Sequence, residues 1–154
     1  MNHQKIIKEL QINYSVFKAL LSASDPNQYL WKPAPKKWCS LEIVCHLHDE
    51  ELEDFRTHTS QVLQPPEKPL APNDPEGWVE KRGYIHQNYG EVLSKFLYER
   101  EHSVEWLSSL SNPRWENAVQ HHEVGEMTAG MFLANWLAYD FLHIRRIIKL
   151  KYDY

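Results

Sequence analysis

Cysteine is scarce in this chain of 154 residues, and so is any long apolar run. The two cysteines, Cys39 and Cys45, match no disulfide framework, redox pair or metal-binding spacing, so a reducing cytoplasm is the expected setting. No apolar stretch approaches the roughly 18 residues of a membrane span. The opening segment MNHQKIIKEL is polar and lacks the apolar stretch of a secretory signal. Positive charge is not in excess: the formal net charge is −4, which removes the electrostatic reason to expect nucleic acid as a partner. Sustained strand-like alternation, internal repeats and low-complexity tracts are missing as well. A chain of this length buries roughly 70% of its extended surface as one domain, so residues 1–154 are expected to fold without disulfides or a structural metal.

What the chain does have is proline and histidine, nine of each. Proline breaks helix interiors, and its positions leave four helix candidates: about 3–22, 40–63, 75–110 and 128–150. Each carries apolar residues at helical spacing. The first reads Ile6, Leu10, Tyr14, Phe17, Leu21. The third reads Ile85, Tyr89, Val92, Phe96, Arg100, Val104, Leu107, with Asp74 and Pro75 as its start and Gly77, Gly83 and Gly90 as places for a break. Thr128 suits the N-cap of the fourth, and Ser40 that of the second, with Glu42 in its first turn. Four amphipathic helices without strands imply an all-α four-helix bundle. Its connections, 23–39, 64–74 and 111–127, are long, and the first two are proline-rich. That length suits crossovers or walls over one end of the bundle.

Histidine is the commonest metal ligand, so placement decides what nine of them mean. In the fourth helix, Phe132, Trp136, Tyr139, Asp140, His143, Ile147 and Leu150 share one arc of about 100°. His143 therefore points into the bundle, and such a polar group needs a partner: a hydrogen bond within the core, a metal or a substrate. In the second helix the stripe runs Leu41, Val44, His48, Leu52, Phe55, Val62, which places His48 inside and His46 in solvent near Glu50 and Glu53. His3, His58, His86 and His102 read as surface or boundary residues, and His121 and His122 fall in the last connection.

The segment Trp38-Cys39-Ser40-Leu41-Glu42-Ile43-Val44-Cys45-His46-Leu47, followed by Asp49, Glu50 and Glu51, resembles the opening of the second helix in the DinB-like family. These damage-inducible-B proteins are four-helix bundles related to bacterial metal-dependent thiol transferases. Tyr139-Asp140-Phe141-Leu142-His143, followed by Arg145, Arg146 and Ile147, resembles the family's last-helix motif, which carries histidine at both ends. Gly125-Glu126-Met127-Thr128 and Trp78 also fit the family pattern. The resemblance implies that His46 points inward, against the stripe count. It further implies a divalent metal (zinc, nickel or iron) held by three histidines, with open positions to activate a thiol or water.

Only two of those histidines are present, His46 and His143, and Tyr139 occupies the third position. A neutral phenol is a poor ligand. Asp140, Glu50, His121 and His122 are the residues that could replace it; otherwise the site is weak, or metal-free with Tyr139 as a hydrogen-bond donor. The expectation is a metal-dependent transferase or hydrolase acting on a small molecule, with His46, His143 and Tyr139 at the metal. The alternative is a non-catalytic, metal-free bundle with a small-molecule-binding or stress-associated role. Met131, Leu142 and Ile148 on the last helix are candidates for a homodimer face.

Overall fold

In the computed structural model, residues 1–22, 25–64, 69–70 and 72–154 are described. The remaining positions of the two proline-rich connections, Pro65 and Pro66 among them, lie outside the described residues. Helix α1 spans His3–Leu21, and a short α2 spans Pro26–Leu30. Helix α3, Ser40–Glu50, runs on through a π-helical turn, Glu51–Arg56, into α4, Thr57–Leu63. The third candidate divides at Gly83, whose φ of 57° is left-handed: α5 is Pro75–Lys81, a 3₁₀ turn covers Tyr84–His86, and α6 is Tyr89–Ser109. Helix α7, Ala129–Asp153, closes the chain. Helix α6 packs on α1 and α3, and α7 on α1 and α4, giving the expected four-helix bundle. Among the described residues, no helix is long and apolar enough to cross a membrane.

Two local expectations change. The last connection is not plain linker: Ala118–His121 (β1) pairs antiparallel with Gly125–Thr128 (β2), with Val119 opposite Met127. Strands of four residues are too short for alternation to reveal. At α3, Cys39 rather than Ser40 holds the cap position, and Glu42 Oε2 accepts from the Cys39 amide at 2.9 Å. Ser40 is the first helical residue. Thr128 caps α7 as expected, its hydroxyl accepting from the Met131 amide.

The core is layered. Toward one end, Phe17, Leu21, Leu41, Val44, Phe96 and Ile147 share an apolar cluster; toward the other, Ile7, Leu10, Phe55, Val104, Leu133 and Trp136 share a second. Between the two, every long helix turns a polar residue inward. These are Asn13 on α1, Glu50 and Glu51 where α3 meets the π turn, Arg100 on α6, and Asp140 and His143 on α7, all buried. A polar layer crossing a helical core at one level is costly unless each group finds a partner.

Candidate metal centre

One half of the polar layer is fully paired. Arg100 is 1% exposed, and its Nε and Nη2 donate to the two oxygens of Glu51 at 2.9 Å each. Its Nη1 and Nη2 donate to Asp140 at 2.6 and 2.7 Å. Asn13 Nδ2 donates to Asp140 Oδ2 at 2.9 Å, and Trp136 Nε1 to Glu51 Oε2 at 3.1 Å. Two forked contacts on one guanidinium are the geometry in which arginine binds carboxylates best. Asp140 is thereby committed to Arg100 and does not take the place of a missing ligand.

The other half is not paired. His46, Glu50 and His143 are 5%, 3% and 1% exposed, and their donor atoms all lie within 4.8 Å of one another. His46 Nε2 stands 3.0 Å from Glu50 Oε2, and His143 Nε2 stands 3.8 Å from the same oxygen. Those are ion-pair separations, the second too long for a hydrogen bond, and neither satisfies Glu50 Oε2. Among the described residues, His46 Nδ1, Glu50 Oε2 and both nitrogens of His143 have no hydrogen-bond partner. His143 is pushed below its ordinary pKa, first by burial. Burial alone would raise Glu50, but the approach of His143 and His46 outweighs it and holds the carboxyl below its usual range.

The local sequence explains the placement. Residues 40–47 are buried on every side because α2, α5, the 3₁₀ turn, α6 and α7 surround this stretch. A stripe count needs an exposed face, and here it has none. His46 is accordingly inside, while His48 is the half-buried residue, 3.1 Å from Asp49. Four residues separate His46 from Glu50, which stacks both on one face of α3. The π turn then begins at Glu51, and Thr57 Oγ1 donates to the Leu52 carbonyl at 2.5 Å, five residues back. Glu50 and Glu51, adjacent at this junction, enter different clusters. π turns inserted in α-helices are frequent at functional sites.

Tyr139 stands at the rim, 37% exposed, its ring 6.1 Å from that of His143 and 5.3 Å from Phe55. Partial burial, then the charges of Glu50 and Asp54, raises its phenol above the ordinary value, so it stays neutral. The third buried donor beside the histidines is Glu50. His121 and His122, on and beside β1, lie outside the group. His58 departs from its expected surface position and is buried against Asp54 at 2.7 Å.

Trp38 packs edge-on to His46 at 4.8 Å, and Trp78 is buried in α5 with Arg82 over its ring. Met131, Leu142 and Ile148 are exposed rather than covered by the connections. A surface groove between Arg56 and Ser60 on one side and Tyr98 and Trp106 on the other shares no residue with the cluster.

Donors that share one ion at about 2.0–2.2 Å stand roughly 3.0–3.6 Å apart. The 3.0 Å separation falls in that range and the 3.8 Å one just beyond it, and with the orphaned atoms the donor set suits a divalent cation held by two imidazoles and a carboxylate that draw in slightly around it.

Three comparisons bear on the chain as a whole. The DinB superfamily model matches residues 9–147. No curated relative matches in sequence. The fold is similar to that of YfiT from Bacillus subtilis, described as a probable metal-dependent hydrolase with an unusual four-helix bundle topology. The TM-score is 0.85 at 16% identity, over 98% of this chain and 86% of that one.

Proposed function

Since the chain belongs to the DinB superfamily, we propose that it is a metal-dependent hydrolase of a small molecule, with His46, Glu50 and His143 as the protein ligands. The orphaned buried donor set carries this reading. Leaving such groups unpaired costs roughly 1–3 kcal/mol each, and a cation would remove that cost. Formal charge points the same way. The buried layer holds three carboxylates, Glu50, Glu51 and Asp140, against one guanidinium, Arg100, an excess that a divalent cation offsets.

A divalent cation supplies Lewis acidity, polarising a substrate carbonyl and making water acidic enough to act as a nucleophile near neutral pH. The chain's own residues do the rest. His46 and His143 are neutral donors at the buried wall. Glu50 contributes the negative charge, and Arg100 holds Glu51 and Asp140 so that neither competes for the cation. Tyr139, neutral at the rim, is placed to donate a hydrogen bond to substrate rather than to ligate. A thiol in place of water would make the same site a transferase.

The two buried, unpaired cysteines are in keeping with a reducing cytoplasm. The exposed Met131, Leu142 and Ile148 are the proposed dimer face, which a light-scattering mass would test. The decisive experiment is metal quantification on untagged protein. One equivalent of metal, lost in His46→Ala and His143→Ala, supports the enzyme. Failure to take up zinc, nickel, iron or cobalt leaves the metal-free binding bundle as the better reading.

A further inference from the structure

The rim of the candidate centre is electrically lopsided. On the Tyr139 side, the negative charges of Glu50, Asp54, Glu123 and Glu76 all act on the phenol. On the other side stands Arg146, three residues beyond His143 on α7, with its guanidinium carbon 5.2 Å from the centre of the Trp38 ring. The same indole meets His46 edge-on at 4.8 Å. Trp38 is thus a shared wall, touching a proposed ligand and the arginine. The guanidinium has no ion-pair or hydrogen-bond partner among the described residues beyond this ring contact. Two other cations of the bundle are engaged by contrast: Lys32 with Glu42 at 2.7 Å, and Arg82 with Asp49 and Glu53 at 2.8 and 2.7 Å. An arginine stacked on an aromatic face keeps its donors in a fixed fork, the form suited to a planar carboxylate.

From this juxtaposition we infer that the substrate carries an anionic group, a carboxylate, which Arg146 receives on the Trp38 face beside the His46–Glu50–His143 centre. The inference rests on the metal-dependent reading and names the substrate class for it. The carboxylate would bridge to Arg146 while the reacting end of the molecule lies at the centre. The acidic side of the rim repels the opposite orientation.

The test uses cobalt(II)-loaded protein and two isosteric probes, 3-mercaptopropionate and 3-mercaptopropionamide. Their thiol binding is read from the cobalt absorption spectrum. The carboxylate probe should bind about fivefold more tightly, with the preference shrinking as salt is raised. Arg146→Gln should bring the two probes within about twofold of each other and leave cobalt uptake and amide binding unchanged. Arg145→Gln removes the same charge from the neighbouring exposed position and should keep the preference. Equal affinity in the unmodified protein, a preference that survives Arg146→Gln, or equal loss in Arg145→Gln overturns the inference while the metal reading stands. No cobalt uptake overturns both.

Discussion

Two clusters of buried charge sit in one layer of this bundle, and they are built on opposite plans. Around Arg100 every charged atom has a partner, and four helix segments converge on it: α1 through Asn13, the π turn through Glu51, α6 through Arg100 and α7 through Asp140. Around Glu50 the residues are as deeply buried, yet their donor atoms face one another without bonding. Burial and charge therefore do not distinguish a strut from a site. Satisfaction does. The closed cluster spends its hydrogen-bonding capacity on the fold, while the open one keeps its capacity for something from outside.

Breaking the closed cluster should have the largest effect. Arg100→Met leaves Glu51 and Asp140 buried without a cation, and about 3–5 kcal/mol of stability should disappear in denaturant unfolding. The opposite outcome is expected at the open cluster. His143→Leu should change the stability of metal-free protein by about 1 kcal/mol or less, because the imidazole makes no aligned bond there. The same change should weaken zinc affinity at least 100-fold, by competition with a chelating indicator.

Tyr139 lies between these extremes. Tyr139→His adds an imidazole at the rim, and zinc affinity should rise about tenfold by isothermal titration, whereas Tyr139→Phe should leave it within about twofold. An affinity that falls in Tyr139→Phe would show the phenol to be a ligand.

Acidity should give the smallest and most graded effect. His143 in the fold sits below its reference value of 6.5, so the unfolded chain takes up the proton first and stability declines as pH falls from about 6.5. Glu50 is depressed below 4.5, so its contribution is present above that value and is lost as pH falls further. Both shifts act in the same direction. Melting temperature in metal-free protein should fall in two stages toward acid, and His143→Leu should abolish the upper one.

The helical outline was legible because proline and capping chemistry are local. The span 40–63 and the cap at Thr128 follow directly from them. Arg100 was visible too, as a charge on an otherwise apolar stripe, although nothing in the spacing reveals its partners Glu51 and Asn13. Inward-facing Asn13 was masked by its neighbour Tyr14, which fits the apolar period of α1 better. His46 could not be read from periodicity, since α3 is enclosed on all sides; the motif resemblance placed it where the stripe did not. Glu50 was one of four named substitutes for the absent histidine. Selecting it required knowing that Asp140 belongs to Arg100 and that a hairpin holds His121.

The π turn at Glu51–Arg56 sets a phase between the two halves of one long rod. Ahead of it, α3 is keyed to His143 of α7; behind it, α4 is keyed to the start of the same helix. A regular α-helix has one pitch and would keep only one of those two meshes in register. The extra residue works like a vernier, letting a single rod engage α7 at two heights at once.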